Sequence, residues 1–179
     1  MPAGSRAVFL DRDGVLVRAL AGAGAPRSAA TLEELEVLPD AADACAALKG
    51  AGYVLVVVTN QPEIARGTLE ANTVARQNAV LRNALPVDEV VVCPHDDADG
   101  CDCRKPRPGM LLDAAARLGL DLGASFMVGD RWRDVEAGRE AGCRVAFVDH
   151  GYDEPLRSEP DAVVPGVGAA AQWILSSDA

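Results

Sequence analysis

Asp11 and Asp13 stand two residues apart, directly after the apolar run Ala7–Leu10. Such a pair has the parts for phosphate-ester chemistry. Phosphoryl transfer from a monoester needs a nucleophile, which a carboxylate can supply by forming an aspartyl-phosphate. It needs a second group that protonates the leaving alkoxide and then activates water, and cations and donors around the equatorial oxygens. Asp11, Asp13, Thr59, Lys105 and Asp130 supply these parts. The carboxylates would suit Mg²⁺, a hard cation whose coordination shell substrate oxygens can complete. An acidic pair alone is weak evidence, because carboxylates at loop starts often do no more than accept backbone N–H bonds. Its weight depends on whether the fold brings the other residues beside it.

The elements that must do so can be read from the apolar pattern. Strands are expected at Ala7–Leu10, Tyr53–Val58, Glu89–Val92, Ser125–Val128, Arg144–Val148 and, more weakly, Ala162–Val164. Helices are expected from Asp40 to about Gly50, Leu69 to about Leu85, Gly109–Leu118 and Asp134–Ala141, with a terminal helix ending near Leu175. Residues 19–30, rich in Ala, Gly, Pro and Ser, read as a loop. Strands that are apolar on both faces and alternate with helices predict an α/β fold, a doubly wound, Rossmann-like parallel sheet covered on both sides. All strand C-terminal ends then share one edge, where open α/β sheets bind ligands. Four loops on that edge carry Asp11 and Asp13, Thr59 and Asn60, Arg104 and Lys105, and Asp130 and Asp134.

These stretches resemble the motifs of haloacid-dehalogenase-type phosphatases. Phe-Leu-Asp-Arg-Asp-Gly-Val-Leu (9–16) matches the first motif and Val-Val-Thr-Asn-Gln (57–61) the second. Arg-Lys-Pro (104–106) matches the third, and Val-Gly-Asp-Arg-Trp-Arg-Asp (128–134) the fourth. The resemblance implies Asp11 as nucleophile, Asp13 as general acid/base, and Thr59 and Lys105 as stabilisers of the transferring phosphoryl. It implies Mg²⁺ held by the side chains of Asp11 and Asp130 and the main-chain carbonyl of Asp13, with Asp134 orienting rather than ligating. Asn60, Gln61, Arg104 and Arg131 are the implied substrate-binding residues.

Cys93-Pro94-His95, five residues, then Cys101-Asp102-Cys103 offers three thiolates and an imidazole in one short loop. That is a closed tetrahedral zinc set. The loop is too polar for three cysteines to be there as small apolar fillers. A structural zinc would stiffen it and position Arg104 and Lys105. This loop narrows the resemblance to the subgroup containing D-glycero-D-manno-heptose 1,7-bisphosphate phosphatases and histidinol phosphatases. The resemblance implies a small phosphorylated substrate, a sugar phosphate (the 7-phosphate of heptose 1,7-bisphosphate) first and histidinol phosphate as the alternative. Little chain is left for a large cap, so loops 17–30 and 93–103 should close the site. Cys45 and Cys143 read as core, His150 as a loop residue, Trp132 as lining the site or covering the helix after it, and Arg133, Arg139 and Arg144 as a solvated face.

The bulk properties agree. A chain of 179 residues with 49% hydrophobic and 25% charged residues suits one domain with a substantial core. A net charge of −10 argues against nucleic acid or an anionic membrane as partner. No apolar run approaches the roughly 20 residues of a membrane span, and no signal peptide is visible. With an odd number of cysteines, these features point to the cytoplasm, and a monomer is expected. A phospho-signalling receiver domain could also carry Asp, Thr and Lys on such a sheet, but it does not need an acid at position 13.

Overall fold

The computed structural model describes residues 4–22 and 26–177, so part of the 19–30 loop (23–25) lies outside the described residues. Six parallel strands form one sheet: β1 (Ala7–Leu10), β2 (Val54–Asn60), β3 (Glu89–Cys93), β4 (Phe126–Gly129), β5 (Arg144–Val148) and β6 (Ala162–Val164). Their order is β3-β2-β1-β4-β5-β6, the doubly wound arrangement whose reversal point lies beside β1. Helices α1 (Ala41–Gly50), α2 (Ala71–Ala84), α3 (Gly109–Leu118), α4 (Trp132–Ala141) and α5 (Val167–Ser176) fill the crossovers and follow β6.

Alternation along the central strands explains the two cores. Val8, Leu10, Leu55 and Val57 face one layer, packed with Leu48 of α1, Leu81 of α2 and Ile174 of α5. Ala7, Phe9, Val56 and Val58 face the other, with Leu111 of α3 and Val135 of α4. All four β1 side chains are fully buried, as a strand covered on both faces requires. Few aromatics are available, and three of them stack in one line: Tyr53 to Phe126 at 5.9 Å and Phe126 to Trp173 at 5.5 Å between ring centroids, both edge-to-face.

The elements follow the sequence expectations with small differences at the ends that matter. β2 runs two residues beyond Val58 because Thr59 and Asn60 pair with Val92 and Cys93 of β3. α4 begins at Trp132 rather than Asp134, because the Asp134 carboxylate turns back to accept the Arg131 backbone N–H at 3.0 Å. The expectation that Arg133, Arg139 and Arg144 form a solvated face holds only for Arg139. Arg144 lies over the Phe126 and Trp173 rings at 5.2 and 4.9 Å, and Arg133 turns toward the cleft described next. Cys45 and Cys143 are buried, as expected, and burial pushes both thiols up to about 12.

Candidate active site

A cleft of about 280 Å³ opens at the C-terminal edge of β1, β2 and β4, with Asp11, Asp13, Thr59, Lys105 and Asp130 in its wall. Asp11 follows the last residue of β1, and its N–H donates to Val128 O of β4 at 2.9 Å. Lys105 reaches it from the loop after β3. The Lys105 ammonium donates to Asp11 Oδ1 at 2.7 Å, to Val58 O at 2.7 Å and to Asp134 Oδ1 at 2.6 Å. All three of its protons have acceptors, which a buried ammonium requires. Burial alone would lower its pKa, but the two carboxylates outweigh burial and hold it above the ordinary lysine value. Asp11 is under the opposite stress. Burial lifts it from 3.8 to about 7 against the pull of Lys105, with Asp134 and Asp13 adding to the rise.

Asp11, Asp130 and Asp134 offer carboxylate oxygens that all lie within 4.8 Å of one another. Three buried carboxylates this close cannot all stay ionised without positive charge between them. Lys105 supplies some. Asp134 has both oxygens occupied, one by Lys105 and one by the Arg131 N–H. Asp130 Oδ1, by contrast, is buried and accepts no bond from any described residue, and burial followed by the charge of Asp11 raises its pKa well above the carboxylate range. An unpaired buried oxygen beside a second carboxylate is the donor set a hard cation would complete. The backbone leaves little spare room here. Gly14 has φ +90°, and a Cβ on it would lie 2.0 Å from Asp130 Oδ2. A Cβ on Gly129 would lie 2.1 Å from Asp134 Cβ.

Asp13 is held from behind. The guanidinium of Arg12, with no exposed surface, donates to Asp13 through Nε (3.0 Å) and Nη2 (3.3 Å). Its Nη1 reaches Asn78 and Gln77 on the inner face of α2. Gln77 in turn donates to Ala29 O and Thr31 O, tying α2 to the loop over the site. Gln61 corrects an expectation. It is fully buried behind the cleft wall, and its amide donates to Asp13 Oδ2 at 3.0 Å and Thr59 Oγ1 at 2.9 Å. It orients these two residues rather than facing the cleft. Asn60 lines the cleft, yet its side chain also brackets the main chain of Lys105, donating to its O at 3.0 Å and accepting from its N at 3.1 Å. His150 donates to Gly14 O at 2.7 Å, a structural task.

Arg104 and Arg131 both line the cleft. Arg104 is clamped to Asp97 at 2.9 Å and Arg131 to Glu154 at 2.6 Å. Sequence reasoning missed Arg12, the buried polar face of α2, and Tyr152 and Glu154. Burial, followed by the charge of neighbouring Asp130, pushes the Tyr152 phenol up. The Asp-Arg-Asp string could have suggested an internal ion pair for Arg12, but nothing local announces the others.

In the loop after β3, Cys93 Sγ lies 3.7 Å from Cys101 Sγ and 3.3 Å from Cys103 Sγ, and Cys101 and Cys103 are 3.4 Å apart. His95 Nδ1 is 3.7 Å from Cys93 and 3.3 Å from Cys103. A tetrahedral ion with Zn–S near 2.3 Å sets edges of about 3.8 Å between sulfurs and about 3.6 Å from sulfur to nitrogen. The four atoms therefore fit such an ion with little movement. Asp96 and Asp99 close the loop through a capping box.

Comparison with known proteins decides the family. A HAD-hydrolase-like family model matches residues 102–170. D-glycero-beta-D-manno-heptose-1,7-bisphosphate 7-phosphatase of Pseudomonas aeruginosa is 38% identical over 80% of this chain and 81% of its own. This chain belongs to the haloacid-dehalogenase-like hydrolases. The Escherichia coli K12 enzyme of the same name is 34% identical over 96% of this chain and 88% of its own. The crystal structure of D,D-heptose 1,7-bisphosphate phosphatase from Bordetella bronchiseptica, complexed with magnesium and phosphate, superposes with a TM-score of 0.83 at 32% identity, covering 96% of this chain and 99% of that one. Among the described residues, no helix of this family member is long and apolar enough to cross a membrane.

Proposed function

We propose that this chain is a Mg²⁺-dependent phosphomonoesterase that works through an aspartyl-phosphate on Asp11 and removes the 7-phosphate of D-glycero-D-manno-heptose 1,7-bisphosphate. The observation that carries the chemistry is the Lys105 ammonium 2.7 Å from Asp11 Oδ1, with the unpaired Asp130 oxygen in the same carboxylate group. Held by Asp11, Asp130 and the main-chain carbonyl of Asp13, Mg²⁺ would keep Asp11 ionised and neutralise charge on the substrate phosphate.

Asp11 attacks phosphorus, and the bond to the sugar oxygen breaks as Asp13 gives that oxygen its proton. Asp13, ionised, then takes a proton from water as the water attacks the aspartyl-phosphate and frees Asp11. Arg12 and Gln61 fix the aim of Asp13 through both steps. Thr59 and Lys105 stabilise the equatorial oxygens. Asn60 keeps Lys105 in register, while Arg104 and Arg131 face the rest of the substrate. Cys93, His95, Cys101 and Cys103 would hold a zinc ion that ties down the loop ending in Arg104 and Lys105.

The named relatives support the heptose substrate, and so does the cleft. Arg27, Arg66, Arg104, Arg131 and Arg133 line it; each also pairs with a carboxylate, and their remaining N–H groups would suit a second anionic group. The test is phosphate release from the two substrates side by side, with Mg²⁺. Faster turnover of the heptose bisphosphate, lost in Asp11→Asn, is expected. Comparable turnover by Asp11→Asn would refute the mechanism, and preference for histidinol phosphate would refute the substrate.

A further inference from the structure

Helix α2 turns Val74, Gln77, Asn78 and Leu81 toward the core, the i, i+3, i+4, i+7 spacing of a helix's inner face. Two of the four are amides, and they occupy the centre of the stripe. Such a stripe is ordinarily apolar, and a buried amide is tolerated only where its bonds are made. Gln77 Oε1 and Asn78 Oδ1 accept from Nη1 of the buried Arg12 at 3.4 and 3.2 Å. Gln77 Nε2 donates to Ala29 O at 2.9 Å and to Thr31 O at 3.2 Å, which uses both of its protons. One side chain thus holds the loop over the site with its nitrogen and the guanidinium behind Asp13 with its oxygen. The two ends of an amide are rigidly joined. If residues 29–31 lift away, Gln77 must leave two N–H groups unpaired or turn, and turning takes its oxygen off Arg12.

A second path joins the same two places. Gln61 Nε2 lies 3.3 Å from Ser28 Oγ and 3.0 Å from Asp13 Oδ2, and Ser28 lines the cleft. Residues 28–31 therefore reach both side chains that hold Asp13. Packing alone does not call for this, because apolar residues of similar shape could fill the space without loss of stability.

We propose that Gln77 is a positioning residue for the general acid, and that Asp13 is correctly aimed only when residues 28–31 are seated against α2. The proposal rests on the role of Asp13 given above and extends it to a residue outside the cleft wall. As the bond from phosphorus to the sugar oxygen breaks, the Asp13 proton passes to that oxygen. A misaimed Asp13 leaves the alkoxide to depart unprotonated, which is slow.

The leaving group reads this coupling. A sugar alkoxide needs the proton, p-nitrophenolate leaves readily without one, and kcat/KM reports the step in which each departs. Heptose 1,7-bisphosphate and p-nitrophenyl phosphate are compared at saturating Mg²⁺ in the wild type, Asp13→Asn, Gln77→Met and Gln77→Glu. Gln77→Met removes both halves of the link at nearly constant volume. It should lower kcat/KM roughly tenfold or more for the heptose ester and less than about threefold for p-nitrophenyl phosphate. Gln77→Glu keeps an acceptor for Arg12 and loses the donors to the loop, so it should show the same selective loss. Equal losses on the two esters, or none, in Gln77→Met would overturn the proposal, and a wild-type ratio in Gln77→Glu would overturn the part played by the loop. Where neither Gln77 variant folds, Ser28→Ala decides: a smaller shift in the same direction is expected, and an unchanged ratio overturns the proposal. Asp13→Asn should show the largest selective loss; if it shows none, the assignment of Asp13 as the acid fails, whatever Gln77 does. If the wild type turns over p-nitrophenyl phosphate but not the heptose ester, the substrate reading fails, and glycerol phosphate replaces the heptose as the alkyl ester in the same comparison.

Discussion

Replacing Lys105 with methionine keeps most of the side chain's length and removes a cation that Asp11, Asp134 and the Val58 carbonyl share at 2.6–2.7 Å. Removing one partner of a buried pair typically costs about 3–5 kcal/mol, because the remaining charge has no compensation. For a chain of this length that is roughly 6–20 °C in Tm. The cost should depend on pH, and its sign can be worked out. Asp11 is raised from 3.8 to about 7 with Lys105 present, so the native state holds a proton more tightly than the unfolded chain does. Its contribution to stability falls as pH rises from about 4 through about 7, and the penalty is complete above that. Without Lys105 the raised pKa rises further. The variant should therefore lose most at pH 8 and much less at pH 5.5, where the carboxylates can protonate. Urea denaturation of both proteins at the two pH values, in Mg²⁺-free buffer, measures this. Added Mg²⁺ should recover more stability in the variant than in the wild type, since it replaces missing positive charge. A loss below about 1 kcal/mol at pH 8, or an equal loss at both pH values, would refute the electrostatic account.

Mg²⁺ binding to the wild type should weaken as pH falls below about 7, approaching tenfold per pH unit for each proton displaced; calorimetric titration at pH 8 and pH 6 reads this, and a flat profile would count against Asp11 as a ligand. Metal analysis should find about one zinc per chain, lost in Cys101→Ser. In thiol titration, the zinc-loaded protein should leave all five cysteines slow to react, chelation should release three, and denaturant should release Cys45 and Cys143 as well. Gly14→Ala should fold yet lose at least about a hundredfold in kcat/KM, because its Cβ would displace the Asp130 carboxylate from 2.0 Å away; near-normal activity would show that Asp130 is free to move.

The sheet and most of the site were legible because the chemistry sits where the pattern changes. Each buried strand is a continuous apolar run, and the polar residue that interrupts it is the one delivered to the active edge: Asp11 after Leu10, Thr59 after Val58, Asp130 after Gly129. The clustering of Cys93, His95, Cys101 and Cys103 was legible because the four lie within eleven residues. What the sequence hid depends on packing between distant segments. Arg12 looks like a spacer between two acids until α2 brings Gln77 and Asn78 against it. Gln61 reads as one more polar residue at a strand end, and only its burial shows that it serves Asp13 and Thr59. Arg144 carries no local sign that it will cover two aromatic rings. Tyr152 and Glu154 reach Asp130 and Arg131 from a loop without a distinctive motif.

The strand order has a consequence for synthesis. β1 pairs with β2 on one side and with β4 on the other, at Val8–Phe126 and its neighbours. Asp11, the proposed nucleophile, follows a strand whose one flank stays open until more than a hundred further residues have been translated. Lys105 and Asp130 arrive only with that second half. A growing chain can bury β1 against β2 and still lack the proposed site. The same delay exposes an unpaired, wholly apolar strand edge on the ribosome, which makes this interval the one in which chaperone protection matters most for this fold.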